Sequence, residues 1–385
     1  MSKNRLIGTV GGYGHQKCCG CGACSMACPK HCLKMKEDKQ GFLYPVFSDE
    51  KACVDCGICT HVCPVQQPFE KKGNIDSLAA FTDNVDRLSC SSGGINTLVA
   101  EHVIKEGGVV FGARFDSEWN VGMDCTDIRS ELQKFSGSKY VQAYPGNAYK
   151  KVAEYLRQSR LVLFTGLPCQ VAGLHRYLHK EYEQLITISC LCHSVPSPLA
   201  WKKYLASNSK KDKIRNFNFR DKSKGWENYS FKVAYDDGEE QVLTSKNIYM
   251  DAMLENLSTR PSCAVCKFKG GRSHADIELG DCWGSSKICP SLFDNKGMNV
   301  VLTYSLKGQQ VLQQLPFVSK HIELKKVMRY NEGLKQSTPL HPHQKLFFHL
   351  LHFINFNDAA MLCLSTSFKA ILKYLPVGGI NLVHT

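Results

Sequence analysis

Two short cysteine runs near the N-terminus constrain this chain more than any other feature. Cys18-Cys19-Gly20-Cys21-Gly22-Ala23-Cys24-Ser25-Met26-Ala27-Cys28-Pro29 contains C-x2-C-x2-C-x3-C-P, and Cys53-Val54-Asp55-Cys56-Gly57-Ile58-Cys59-Thr60-His61-Val62-Cys63-Pro64 repeats it. In this spacing the first three thiolates of a run wrap one [4Fe–4S] cube, the fourth crosses to the other cube, and the proline turns the chain away. The expected ligand sets are therefore Cys18, Cys21, Cys24 and Cys63 for one cluster, and Cys28, Cys53, Cys56 and Cys59 for the other. Structural zinc also uses paired C-x2-C spacing, but a tetrahedral site gives no reason for the tight third cysteine, the crossed fourth or the repeated Cys-Pro. Cys19 and Cys32 fall outside the pattern and read as packing thiols.

Residues 12–70 hold ten of the twenty cysteines and little continuous apolar sequence. Such a segment needs metal to fold, so a small ferredoxin-like domain is expected over 12–70. In a secreted protein this many cysteines would imply disulfides. The start, Met1 to Gly8, has no apolar signal core, and a reduced, cytoplasmic protein with thiolate ligands is expected instead. No transmembrane span is expected either, because the most apolar stretch, Leu346 to Leu364, is broken by His349, His352, Asn355, Asn357 and Asp358. That pattern suits an amphipathic helical tail. The formal charge of +13 comes from 48 Lys and Arg scattered among 35 Asp and Glu, without a basic block or aromatic-interleaved stripe, so no nucleic-acid partner is expected.

With 385 residues, 43% of them hydrophobic, the chain has length for two or three domains with real cores. From about 77 to 195 the pattern alternates. A helix over Ile95–Val103 ends at Gly107-Gly108, a strand runs over Val109–Ala113, and Pro145 opens a helix to about Gln158. A strand over Leu161–Phe164, a helix over Pro168–Leu178 and a strand over Leu185–Cys190 follow, which is a βαβ rhythm with parallel pairing. From 196 to 330 the signals are α+β. Strands are expected over 217–219, 229–235, 241–244, 275–279 and 300–304, with a hairpin turn at Asp236-Asp237-Gly238. Residues 331–385 read as a helical tail. The fold class is α+β / α/β: a small Fe–S module, a mixed α/β domain and a helical C-terminal tail.

Four stretches look unlike ordinary core. Ser91-Ser92-Gly93-Gly94 precedes a helix, where amides and hydroxyls can receive a phosphate or simply cap the helix. Gly137-Ser138-Lys139-Tyr140-Val141-Gln142 sets a lysine after a small-residue turn. Thr165-Gly166-Leu167-Pro168-Cys169-Gln170 lies at the end of a strand and opens a helix, where α/β proteins bind ligands. Asp276 to Gly284 is an alternating strand ending in Gly280-Asp281-Cys282-Trp283.

In this order these stretches, with Cys192-His193-Ser194-Val195-Pro196 and Cys263-x2-Cys266, resemble the coenzyme F420 hydrogenase/dehydrogenase beta-subunit family, from about Leu78 to about Glu332. The N-terminal two-cluster module is a common fusion partner there. The sequence departs in Cys90 before the serine pair and in Ser194, where glycine often follows Cys-His. The resemblance implies an FAD-containing iron–sulfur oxidoreductase in which flavin links one-electron clusters to two-electron chemistry. Related members act on coenzyme F420, a deazaflavin, or on other substrates, and some bacterial members accompany surface-polysaccharide genes. Flavin-binding residues would be Ser91, Ser92, Gly93, Gly94, Lys139, Gly166, Pro168 and Gln170, with Lys139 supplying positive charge. His193 is a candidate proton donor beside the flavin, or else a packed histidine. Four of Cys169, Cys190, Cys192, Cys263 and Cys266 suit a third [4Fe–4S] cluster, best Cys169, Cys192, Cys263 and Cys266; the alternative is buried free thiols plus a structural pair. Cys125, Cys282, Cys289 and Cys363 read as plain residues. Partners would be a redox partner protein or soluble electron carrier and a small-molecule substrate. The rival function is an electron-transfer subunit of a larger complex with no substrate of its own.

Overall fold

The computed structural model describes residues 16–334 and 337–364. Met1–Gly8, residues 12–15 of the expected Fe–S domain, and 335–336 and 365–385 of the expected tail lie outside the described residues.

The N-terminal module contains helix α1 (Ala23–Ala27), strands β1 (Leu33–Glu37) and β2 (Leu43–Phe47), and helix α2 (Ile58–His61). The strands form an antiparallel hairpin between the two cysteine runs, with Leu33 opposite Phe47. The two runs share a backbone plan. Each takes a positive φ just before its second cysteine (Gly20 +72°, Asp55 +55°) and just after it (Gly22 +80°, Gly57 +71°). Those left-handed turns fold the chain back around its own sulfurs, and glycine is the residue that adopts them without strain.

The body begins with β3 (Asp76–Phe81), α3 (Ile95–Lys105), β4 (Val109–Phe115), β5 (Val121–Thr126), α4 (Ala148–Arg157), β6 (Val162–Gly166), α5 (Pro168–Leu178) and β7 (Leu185–Cys190). It continues with α6 (Pro198–Ala206), β8 (Ile214–Asp221), β9 (Ser230–Tyr235), β10 (Gly238–Leu243), α7 (Ile248–Leu254), β11 (Ile277–Asp281), β12 (Asn299–Thr303) and β13 (Val318–His321). Eight strands form one mixed sheet in the order β13-β3-β12-β11-β7-β6-β4-β5. The centre, β11-β7-β6-β4, is parallel, and antiparallel strands flank it on both sides. β6 and the start of β4 are apolar runs because helices and loops cover both faces; Val109, Val110, Phe111, Val162, Leu163 and Phe164 are all buried, as are Ile186 and Ile188 of β7. β8, β9 and β10 make a separate three-stranded sheet.

The βαβ rhythm expected from 95 to 190 is present, and the second-half strands β11, β12 and β13 complete the same sheet. Several details differ from expectation. The hairpin β1–β2, the sheet strand β3 and the edge strands β5 and β13 were not legible, since short edge strands carry weak alternation. The helix expected to open at Pro145 starts at Ala148. Pro145 instead packs on the module: a Cβ on Gly22 would lie 2.7 Å from its Cγ. The tail expectation is met within the described residues by helices Gln344–Leu350 and Phe356–Leu364, whose Phe347, Phe348 and Phe356 are buried. No described helix is long and apolar enough to cross a membrane.

Candidate redox centre

The fold brings the two cysteine runs side by side. Cys18, Cys21 and Cys24 are buried beside α1. Burial, then the neighbouring sulfurs Cys18, Cys63 and Cys59, raise the Cys24 thiol; Cys21 is raised first by its hydrogen bond with Cys19, then by burial, with Cys24 and Cys63 also near. Cys63, the fourth cysteine of the second run, thus lies near the first three of the first. Conversely, Cys28, Cys53, Cys56 and Cys59 line one cavity of about 290 Å3. Cys32 shares that cavity, with its Sγ 3.4 Å from that of Cys28.

A third group of thiols comes from separated segments. Cys169 opens α5, Cys192 follows β7, Cys263 lies within a single 3-10 turn after Arg260, and Cys266 ends that turn. All four line a cavity of about 70 Å3, and Pro168 lines it with them. Cys190 turns elsewhere, into the larger cavity described below. The sequence offered no sign that Cys19 is a fifth thiol here. It is hydrogen-bonded to Cys169 and to Cys21, and so spans the space between this group and the first. Its only local signal is adjacency to Cys18, because the pairing depends on how α5 docks.

Among the described residues no three or more His, Cys, Asp or Glu side chains close around a single metal ion. The second and third thiol groups line open spaces, the arrangement a multi-atom cluster needs. Burial pushes the Cys263 thiol up to about 11 and that of Cys63 to about 12, so these groups are protonated at neutral pH until a metal displaces the proton.

At the C-terminal ends of the parallel strands lies a cavity of about 320 Å3, within the range of small-ligand sites. Ser91, Ser92, Gly94, Lys139, Gly166, Gln170 and His193 line it. The Ser91 and Ser138 hydroxyls meet at 2.8 Å, joining two of the expected stretches. The Ser92 hydroxyl donates to the Met298 carbonyl at 2.7 Å, and Lys222 Nζ donates to the Ser92 carbonyl at 2.9 Å, which pins the turn. Lys139 Nζ donates to the carbonyls of Ser136 (2.7 Å) and Gly137 (3.3 Å), and burial pushes its ammonium down to about 7. Gln170 has a local role, its Oε1 accepting from the Leu167 amide at 2.9 Å.

Two expected residues stand differently. Gly93 does not line the cavity. A Cβ there would lie 2.5 Å from the Ala80 carbonyl and 2.7 Å from the Asn299 amide, so its role is to let the turn press on the sheet. Pro168 faces the small thiol cavity alone. Arg220, in contrast, was not anticipated. It is buried on β8, its Nη1 pairs with Asp281, and its Nε and Nη2 have no hydrogen-bond partner among the described residues. Its guanidinium lies 4.5 Å from the Tyr229 ring and 5.0 Å from that of Trp283. No period in β8 marks a buried cation; only tertiary placement does.

Cys192, His193 and Val195 line both cavities, so one stretch of chain is the wall between the third thiol group and the ligand pocket. His193 Nε2 is 2.8 Å from Asn256 Oδ1.

Fold and site together define an iron–sulfur electron-transfer protein with a ferredoxin-type module on a mixed α/β body. Residues 17–67 match the family model of the 4Fe-4S dicluster domain, and residues 159–329 match that of the C terminus of the beta subunit of coenzyme F420 hydrogenase/dehydrogenase. The chain thus carries a segment similar to the C terminus of the beta subunit of coenzyme F420 hydrogenase/dehydrogenase, joined to a 4Fe-4S dicluster domain. No curated protein matches it. Among solved structures, it is similar to a chain of the F420-reducing [NiFe] hydrogenase complex from Methanosarcina barkeri, at 18% identity and a TM-score of 0.46, over 71% of this chain and 97% of that one.

Proposed function

We propose that this chain is an iron–sulfur flavoprotein oxidoreductase, holding two [4Fe–4S] clusters in its N-terminal module, a third at Cys169, Cys192, Cys263 and Cys266, and FAD in the large cavity. The observation that carries the reading is the shared wall: Cys192 and His193 face the third thiol group on one side and the ligand pocket on the other. FAD would supply the exchange between single electrons and the two-electron chemistry of a small-molecule substrate, of the coenzyme F420 type or another.

The chain's own groups suit such a ligand. The Ser91–Gly94 turn and the first amides of α3 form a site for phosphate. Lys139 and the unpartnered donors of Arg220 offer positive charge to an anionic ligand, and Trp283 and Tyr229 hold Arg220 in place from its faces. His193, held by Asn256, is the titratable group at the wall. Lys222, bonded to the Ser92 carbonyl, keeps the phosphate turn closed. Thiolate ligands suit a reducing compartment, the cytoplasm.

Anaerobic purification with iron, sulfide and flavin counted per chain tests this. About twelve irons and one FAD are expected, with iron falling by about four in Cys266→Ala and flavin alone falling in Arg220→Gln. Iron unchanged by Cys266→Ala refutes the third cluster, and flavin absent throughout refutes the flavoprotein. Reduction of the bound flavin by a soluble nicotinamide or deazaflavin separates an enzyme from a subunit that only relays electrons.

A further inference from the structure

Arg260 is one of the most deeply buried side chains in the protein, with 1% of its surface exposed. Its three donor nitrogens all reach into the N-terminal half of the chain. Nε donates to the Cys18 carbonyl at 2.9 Å, Nη2 to the Leu43 carbonyl at 2.9 Å, and Nη1 to Gln142 Oε1 at 3.2 Å. The guanidinium lies 4.2 Å from the Tyr44 ring centre. Its backbone faces the other way: its carbonyl accepts from the Cys263 amide at 3.0 Å, and its amide donates to the Val195 carbonyl at 2.8 Å. One residue thus ties a ligand of the first expected cluster to a ligand of the third.

The three oxygen acceptors are neutral, and the Cys18 side chain also hydrogen-bonds the guanidinium. Among the described residues no carboxylate lies within ion-pair distance of it, and the groups whose ionised forms act on it are Tyr44, Cys18, Cys19 and Cys263. A buried guanidinium without a counter-ion is costly, since removing the charge from water is repaid only by a nearby anion. The anions at hand are the sulfurs of two thiolate sites. Leu43, Gln142 and Arg260 also leave no room at Gly20, where a Cβ would lie 2.6 Å from Gln142 Nε2 and 3.0 Å from Arg260 Nη1. The cation is thereby locked against the first cysteine loop.

We infer that Arg260 is the shared counter-cation of the first cluster and of the third thiol group, setting the potential of both and holding the Fe–S module on the body. The inference rests on the proposed third cluster for one half of its claim and on the module's first cluster for the other. A fixed positive charge in a poorly solvated site favours the more negative, reduced cluster, so it raises the reduction potential. The cavity of the second cluster includes neither Arg260 nor any of its hydrogen-bond partners, so that cluster is an internal control.

The test is a redox titration of the full, anaerobically reconstituted chain, followed by the low-temperature spin signals of the clusters, for wild type, Arg260→Gln and Arg260→Lys. In iron-replete Arg260→Gln the first and third midpoints should fall, by about tenfold in the one-electron reduction equilibrium (~59 mV), while the second stays put. Arg260→Lys, which keeps the charge, should recover most of the shift. Unchanged midpoints in iron-replete Arg260→Gln, or an equal fall of all clusters, overturn the inference. If Arg260→Gln loses iron, Arg260→Lys decides: retained iron with near-native midpoints supports the role of charge, and loss in both variants makes Arg260 a packing residue and overturns it. A wild type with only about eight irons removes the third cluster without touching the test at the first.

Discussion

Gly173 on α5 lies directly against Cys21. A Cβ on Gly173 would lie 2.9 Å from Cys21 Sγ and 2.9 Å from the Tyr149 hydroxyl, which itself donates to the Gln170 carbonyl at 2.8 Å. The same helix opens with Cys169, so one turn of α5 separates the first cysteine group from the third. The helix is thus both a wall of the Fe–S module and a rib of the body.

Gly173→Val should therefore disturb the first cluster while leaving the second intact. Overpacking of this kind costs about 1–3 kcal/mol. A lowered thermal midpoint together with altered spin signals from one cluster is the expected result; unchanged iron and unchanged spectra would show that α5 gives way.

Cys56→Ala should remove about four irons per chain and leave the first and third groups loaded. Cys56 is exposed, so the loss cannot be traced to a collapsed core. Iron analysis checks it, and iron equal to wild type would disprove the crossed assignment.

Gly93→Val should unfold the body instead of merely emptying the ligand pocket. The added side chain meets backbone on both β3 and β12, at Ala80 and Asn299, and neither can move alone. Soluble protein with normal melting and reduced flavin would contradict this account.

Lys139 predicts a pH dependence. Its folded pKa is about 7, below the ordinary lysine value of 10.5, because burial disfavours the charged form. Between these values the unfolded chain binds more protons than the folded one, so this residue makes stability rise with pH from about 7 toward 10. Its charge in the pocket disappears over the same start of the range. Affinity for an anionic ligand should therefore fall several-fold from pH 6 to pH 8, and Lys139→Met should flatten that dependence. Fluorescence titration with FAD at both pH values measures it; an equally steep profile in Lys139→Met would assign the titration to another group.

Much of this was legible in the chain alone, because it rests on short-range chemistry. Cysteine spacing sets which sulfurs can wrap one cube and which must cross, so the expected sets, Cys18, Cys21, Cys24 and Cys63 on one side and Cys28, Cys53, Cys56 and Cys59 on the other, come from a few residues of sequence. The βαβ alternation from Ile95 to Cys190 is local too, being set by apolar period and by the breaks at Gly107-Gly108 and Pro168. Tertiary structure decided the rest, because it depends on contacts between residues far apart in the chain. That Cys169, Cys192, Cys263 and Cys266 share a cavity requires α5, the end of β7 and the turn after Arg260 to meet, and no local period encodes the meeting. Cys19 reads as a bystander until α5 brings Cys169 to it. Gly93 reads as a phosphate glycine until β12 is laid beside β3. Arg220 and Arg260 are ordinary cations in sequence; burial makes one an unpartnered donor to a pocket and the other a cation whose nearest anions are sulfurs.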